Sequence, residues 1–404
     1  MSRRHTADMT SSLHIALVTE TWRPEINGVA MTLGRLTDGL RHLGHRFTLA
    51  RPRQHAADLP AAEPTLREIL VAGCPIPGYR GLRFGLPAKG RLLQAWREDR
   101  PDILQVATEG PLGASAIAAA KQLGIPVVSE FHTNFHAYSR HYGAGWLEGL
   151  VAGHLRRLHN KSAVTLAPTF SVAEELRAAG YRSVRVVARG IDTALFNPQR
   201  RSLALREQWG VSEDHLVVAY VGRLAAEKNL PLVLRAFKEI RVIRPDARLL
   251  FVGDGPLRAS LEREDEHHLF AGMRRGEDLA MHYASADLFL FPSLTETFGN
   301  VTLEAMASGL GVVAYDCAAA HELIRDGDNG RIAPPGQDAA FIAAALELAR
   351  NPEMLATLRE RASLSVRHLD WSRISGDLLQ VFRDTISSHP RTQPESLLFR
   401  FALD

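Results

Sequence analysis

Two glutamates, Glu296 and Glu304, have seven residues between them, and the intervening run includes Phe298-Gly299-Asn300-Val301. The preceding apolar run ends at Phe291-Pro292, so a turn is expected to carry Glu296 and a helix to begin near Gly299 and Asn300. The unpaired backbone N–H groups of such a helix start make an anion site. Glu304 would lie a little over one turn into the helix, so the two carboxylates flank that site. A second pair of charges follows the run Tyr220-Val221-Gly222, with Arg223 at its end and Lys228 five residues later. A planar guanidinium fork and an ammonium point charge can together hold a diphosphate and meet the charge that builds on a leaving group. Taken singly, a glutamate pair of this spacing usually belongs to an ordinary amphipathic helix, and basic residues near helix starts are usually solvated. In Phe251-Val252-Gly253-Asp254-Gly255-Pro256, Gly253 and Gly255 permit a tight turn. His132, in Glu130-Phe131-His132-Thr133-Asn134-Phe135-His136, falls just past a strand's carboxyl end, where a sugar hydroxyl could meet it, although a histidine there is more often packed or solvated.

These residues need elements to hold them, and the chain supplies two arrays of them. Leu13–Val18 reads as a buried strand, Val29, Leu33, Leu36 and Leu40 recur at helical spacing up to Gly44, and Phe47–Ala50 starts another strand. Strand-like runs continue at Ile103–Val106, Val127–Glu130, Ala163–Leu166 and Val184–Val187, with an Ala-rich helix from Ala114 to Leu123. A polar stretch, Asn197-Pro198-Gln199-Arg200-Arg201, reads as an interdomain connection. The pattern then restarts at Leu216–Val221, Arg248–Val252, Leu288–Phe291 and Gly311–Tyr315. An α/β fold of two doubly wound domains facing a cleft is expected. The first would span residues 13–195 and the second 206–370, with a last helix over 371–386 crossing back to the first domain. Residues 1–12 and 387–404 read as tails, although Leu397, Leu398, Phe399 and Phe401 could dock.

Composition excludes several alternatives. The chain has 404 residues and two cysteines, Cys74 and Cys317, in no disulfide or zinc spacing, which suits a reducing cytoplasm. No secretion signal or membrane-spanning run is expected. The net charge of +3 conceals an uneven split: residues 1–190 hold 24 Lys+Arg against 15 Asp+Glu, while the remainder is acidic. A basic half suits an anionic lipid surface or acceptor, or is simply solvated.

The run from Glu296 to Gly309, with Glu304-Ala305-Met306-Ala307-Ser308-Gly309 at its end, resembles the Glu-x7-Glu signature of family 4 retaining glycosyltransferases. Gly222-Arg223 with Lys228-Asn229, the glycine segment Phe251–Pro256 and the Phe131–Phe135 run resemble the same family. The resemblance covers Leu13 to about Ile386. It implies the GT-B fold, a nucleoside diphosphate sugar as co-substrate, no cofactor, no metal and no nucleic-acid partner. It implies that Glu304 binds the donor ribose and that Glu296 and His132 lie at the transferred sugar. Arg223 and Lys228 would meet the diphosphate, helped by the helix start at Gly299, Asn300 and Val301 beside Phe298. Gly253 and Gly255 would shape the nucleotide site, while the loop around Phe270, Gly272, Met273 and Arg274 would read the base through its backbone. Gly28, in Asn27-Gly28-Val29 where relatives commonly have Gly-Gly, would let the chain approach the donor or acceptor. His136 and His141 gain less support. Retention would proceed by front-face departure and attack, with Glu296 not acting as a covalent nucleophile.

Within the family, Gly81–Pro87, Thr108–Gly113 and Phe131–His141 resemble the branch that glycosylates diacylglycerol-type lipids. Arg80, Arg83, Lys89, Arg91, Arg97 and Arg100 interleave with Leu82, Phe84, Leu86, Leu92, Leu93 and Trp96, a pattern compatible with an interfacial face. The same apolar residues could equally pack inward. The expected enzyme is thus a hexosyltransferase on a lipid acceptor, peripheral on the inner face of the cytoplasmic membrane. Alternatives are a soluble sugar or polysaccharide acceptor, or a GT-B-like epimerase or non-catalytic binder. Donor base, sugar and oligomeric state stay open.

Overall fold

The computed structural model describes residues 11–25, 27–75, 83–132, 148–265, 268–296 and 298–389. His136, His141, Tyr79, Arg80, Leu82 and the apolar residues near Phe399 lie outside them. The first sheet has eight strands in the order Val184–Val186, Val164–Ala167, Val127–Glu130, Ile103–Val106, His14–Val18, Arg46–Pro52, Leu66–Val71 and Ala62–Glu63. All pairings are parallel except the last. The second sheet has six parallel strands: Leu269–Gly272, Arg248–Val252, Val217–Val221, Leu288–Phe291, Gly311–Tyr315 and Arg331–Ala333. Helices cover both, so the central strands are buried on two faces and read as unbroken apolar runs.

The order of the strands decides where chemistry can occur. In the second sheet the chain moves from Val217–Val221 outward through Arg248–Val252 to Leu269–Gly272, then returns to Leu288–Phe291 on the other side. The gap between the carboxyl ends of Val217–Val221 and Leu288–Phe291 is therefore a topological switch point, the crevice where doubly wound sheets hold ligands. Arg223 and Lys228 leave one of those ends and Glu296 leaves the other. In the first sheet the equivalent gap separates His14–Val18 from Ile103–Val106.

Two crossings join the domains side by side. Ile191 pairs with Asp370, and Ile191 N donates to Leu369 O over 2.7 Å. The helix Trp371–Ser388, capped by Asp370, then lays Ile374, Leu378, Leu379, Val381 and Phe382 into the first core against Leu33, Leu36 and Leu40. Gly39 permits this approach, since a Cβ there would come within 2.2 Å of Ser375 Oγ.

Several features depart from the sequence reading. The polar connection is tied into the second domain. Phe196 enters the second core, and Arg201, Arg206 and Arg359 all donate to Asp287. Arg206, wholly enclosed, also binds the carbonyls of Ser285, Ser212 and His215, which replaces the hydration its charge gives up. The segment Leu269–Gly272, read as a loop, is an edge strand whose Phe270 stacks on Phe251 at 5.1 Å. Leu92 and Trp96, on the helix Lys89–Glu98, are buried in a second apolar cluster of the first domain, with Leu104 and Leu112, and Leu93 packs against it. The apolar stripe of that helix is interior packing, leaving Lys89, Arg91 and Arg97 outward beside half-exposed Leu86.

Candidate functional site: the cleft between the sheets

The strand Leu288–Phe291 hands the chain to Pro292 and Ser293, and the helix Asn300–Ala307 begins after Gly299, whose φ of +87° suits glycine. No side chain caps its first N–H groups. Across the cleft begins the helix Gly28–His42, capped by Asn27, whose Oδ1 accepts from Ala30 N over 2.9 Å. A Cβ placed on exposed Gly28 would stand 3.7 Å from Asn300 Nδ2. Two helix starts, one from each domain, thus converge, and their dipoles favour an anion between them.

The charged residues gather beside that point. Lys228 ends a single 3-10 turn, Ala226–Lys228, and its ammonium pairs with Glu296 Oε1, which also accepts from Ser293 Oγ over 3.0 Å. Arg223 is exposed, its guanidinium 3.7 Å from Glu227, and its carbonyl accepts from the Tyr220 hydroxyl over 3.1 Å. Lys228 lies in a turn rather than on the following helix, because Asn229 adopts φ +55° before Leu230–Ile243 starts.

Beneath these residues two loops interlock. Gly253, at φ +136°, lies so close to its neighbour that a Cβ would reach within 2.0 Å of Gly222 O, and one on Gly255 within 2.4 Å of Leu224 O. Gly222 N donates to Val252 O and Leu224 N to Asp254 O, each over 2.9 Å. The glycines let the two loops sit against each other. Gly253→Ala is expected to lower the unfolding free energy by about 2–4 kcal/mol, through strain and displacement of the Gly222 carbonyl, measured by denaturant titration; an unchanged midpoint would contradict it.

Glu304 is buried on the first turns of its helix, and Tyr283 donates its hydroxyl to Oε2 over 2.9 Å. Burial pushes the Glu304 carboxyl up to about 7, with the tyrosine bond acting against that rise. Val301 packs at the edge of the second core. Phe298 does not line the cleft with its ring: it is 7% exposed within the core, and its carbonyl accepts from Ala319 N over 2.8 Å.

Two expectations change more. His132 is 6% exposed, with Nε2 2.5 Å from Glu130 and Nδ1 accepting from Arg189 at 2.6 Å, so both ring nitrogens are engaged inside the protein. It is placed to steady the strand end rather than to offer a free nitrogen to a sugar hydroxyl. Arg274 likewise turns back on its own segment, donating to Ala271 O over 2.8 Å and to Asp278 over 2.9 Å, while Met273 is exposed. The chain holds an Asp-x-Asp triplet, Asp326-Gly327-Asp328. Its two carboxylates pair with Arg331 and Arg361.

Tyr283, Ser293 and Arg189 were not visible as site residues. Tyr283 meets Glu304 from a neighbouring helix, Arg189 follows an ordinary strand, and no spacing marks either contact.

The family described as Glycosyltransferase Family 4 matches residues 26–195, and that described as Glycosyl transferases group 1 matches residues 215–351. A GDP-mannose-dependent alpha-mannosyltransferase of Corynebacterium glutamicum is 31% identical over 384 residues, covering 94% of this chain and 91% of that protein. The chain belongs to glycosyltransferase family 4. An alpha-monoglucosyldiacylglycerol synthase of Acholeplasma laidlawii is 26% identical, covering 88% of this chain and 93% of that one. A sulfoquinovosyl transferase of Arabidopsis thaliana is 32% identical over 74% of this chain and 59% of its own length. Among solved structures, sucrose-phosphate synthase from Thermosynechococcus elongatus superposes with a TM-score of 0.75 at 19% identity, covering 93% of this chain and 99% of that one. Anabaena HepE, determined with UDP-glucose, gives 0.71 at 20% identity over 93% of this chain and all of that one. The fold is GT-B and the enzyme a hexosyltransferase.

Proposed function

We propose that this glycosyltransferase moves a hexosyl group from a nucleoside diphosphate sugar to the hydroxyl of a diacylglycerol-type lipid, with retention and without a metal ion. The observation that carries the donor side is the convergence of Lys228, Glu296 and the Asn300 helix start opposite Gly28. In this reading the diphosphate lies at the two helix starts. Lys228 and Arg223 meet the charge that develops as the anomeric carbon–oxygen bond breaks, Glu304 accepts from the ribose hydroxyls, and Glu296 faces the sugar. The acceptor oxygen attacks on the face the diphosphate leaves, and the departing phosphate oxygen takes the acceptor's proton. Glu296 is no covalent nucleophile here, because the two-carboxylate logic of glycosidases needs both groups at the sugar. The N-terminal half is the acceptor side.

A lipid acceptor is favoured by the activity named for the Acholeplasma relative and by the positive first half. GDP-mannose is the first donor to test, because the relatives above 30% identity include GDP-mannose-dependent enzymes. Among the described residues no helix is long and apolar enough to cross a membrane. Attachment at the inner face of the cytoplasmic membrane would therefore be peripheral. With Leu92 and Trp96 buried, it would rest on Lys89, Arg91, Arg97 and Leu86, so it should weaken steeply with salt.

The protein is to be incubated with GDP-mannose, UDP-glucose and related donors, with and without diacylglycerol in vesicles, and the products weighed by mass spectrometry. A glycosyl-diacylglycerol formed only with lipid present is the expected product. Transfer to soluble sugars alone would overturn the acceptor, and equal, negligible sedimentation with anionic and neutral liposomes would overturn the membrane contact.

A further inference from the structure

Glu304 has one oxygen committed inside the protein before any ligand arrives. The Tyr283 hydroxyl donates to Oε2, and the two residues stand on helices Gly276–Ala284 and Asn300–Ala307, which pack against each other although the strand Leu288–Phe291 separates them in sequence. The tyrosine has no exposed surface and the glutamate is 8% exposed. A phenol has a single hydrogen to give, whereas a carboxylate has about four lone-pair positions, so the bond occupies one of them and leaves the rest. A carboxylate that must meet two neighbouring hydroxyls needs its plane fixed, and a long glutamate side chain does not fix that plane unaided.

The ring behind the hydroxyl is itself held. Tyr283 meets Phe196 edge-on at 5.9 Å and Phe289 at 6.1 Å. Phe289 stacks on Phe291 at 5.7 Å, Phe291 on Tyr220 at 6.2 Å, and Tyr220 donates its hydroxyl to the carbonyl of Arg223. One continuous row of rings therefore carries two hydroxyls, one aimed at Glu304 and one at the loop that bears Arg223. A phenylalanine would fill the Tyr283 position equally well, and a buried hydroxyl costs desolvation wherever it lacks a fixed acceptor.

We propose that Tyr283 is the positioning residue of the donor site: its hydroxyl sets the Glu304 carboxylate so that a free oxygen edge faces the ribose diol of the nucleoside diphosphate. This rests on the reading that Glu304 holds the ribose. Tyr283 touches no substrate and acts through Glu304 alone. Its hydroxyl matters to a nucleotide only if that nucleotide has a diol to present.

The test uses the full chain, its Tyr283→Phe variant and two pairs of probes, GDP with 2′,3′-dideoxy-GDP and UDP with 2′,3′-dideoxy-UDP. Calorimetric titration is expected to show Tyr283→Phe binding the better ribonucleotide about tenfold more weakly, the order of one hydrogen bond to a charged group, while the dideoxy form binds within about twofold of its affinity for the parent chain. The preference for the ribose form would then collapse. A loose core would weaken both nucleotides alike. Tyr220→Phe, in the same row of rings but with its hydroxyl on the Arg223 carbonyl instead of Glu304, is expected to keep the ribose preference. A preference that survives Tyr283→Phe overturns the inference. Glu304→Gln separates the two ideas: if it erases the preference while Tyr283→Phe keeps it, Tyr283 alone is misassigned. If neither erases it, the placement of Glu304 at the ribose fails as well.

Discussion

Lys228→Ala is expected to reduce turnover by about 10²–10³-fold, the range seen when one preorganised donor to a developing anion is removed. The loss should fall mainly on kcat, because the charge on the diphosphate is greatest as the glycosidic bond breaks. The alternative is that Lys228 serves only to neutralise Glu296, its partner in the ligand-free cleft. The two differ in the double variant Lys228→Met with Glu296→Gln. If the pair is merely structural, removing both charges together should restore activity to that of Glu296→Gln alone. If Lys228 meets the leaving group, the double variant stays as slow as Lys228→Met. Lys228→Arg should recover only part of the rate, since a planar fork does not reproduce a compact ammonium at the same place. Single-turnover kinetics with saturating donor separate these outcomes, and recovery in the double variant would refute the phosphate role.

Glu304→Gln should have opposite effects on stability and on donor binding. Burial holds the folded carboxyl at about 7, above its ordinary 4.5. The folded chain therefore binds that proton more tightly than the unfolded chain does. This contribution to stability is full below the unfolded value and is lost as the pH rises through the folded one. Above pH 7 the buried charge costs up to about 3 kcal/mol, the free energy of moving a proton equilibrium between those two values. The amide carries no such cost, so Glu304→Gln should be the more stable chain at pH 8, with the difference vanishing near pH 4. Glu20, also raised to about 7 by burial, gives both chains the same background slope and cancels in the comparison. Donor binding should run the other way. A carboxylate accepts from both ribose hydroxyls, so affinity in the parent chain rises with pH up to about 7 and then levels, with proton release on binding near pH 6. Denaturant titrations at the two pH values, with calorimetry in buffers of different ionisation enthalpy, measure both. Equal stability at pH 8 and no proton release would remove the argument.

Much of this arrangement could be read in the chain, for identifiable reasons. Strands buried on two faces leave a plain mark, so Val217–Val221, Arg248–Val252, Leu288–Phe291 and Gly311–Tyr315 stood out as apolar runs. The helix start at Asn300 was legible because a glycine at positive φ precedes it, and the crossing helix because its apolar positions recur at helical spacing. Leu66–Val71 was hidden by Arg67 and Glu68, and Glu68 is interior only because Arg51 binds it and Asp58 together. Arg331–Ala333 is three residues long, and Leu269–Gly272 ends in a glycine. The side-chain partners were the least legible part. His132 pairs with Arg189 from 57 positions away, and Tyr283 reaches Glu304 from a neighbouring helix. Such contacts depend on how helices and strand ends come together, and no local spacing encodes that.

The crossing helix also bears on how the chain is made. A ribosome releases the first domain's strands early, yet Ile374, Leu378, Leu379, Val381 and Phe382 of that domain's interior emerge only after the whole second domain. The first domain must therefore wait, with part of its interior uncovered, while its neighbour folds as a self-contained unit. Domains that follow one another like beads can each finish in turn during synthesis. Here completion of the first is postponed to the last turns of helix, which ties the two halves of the cleft to a single late event and leaves a window in which a chaperone has apolar surface to hold.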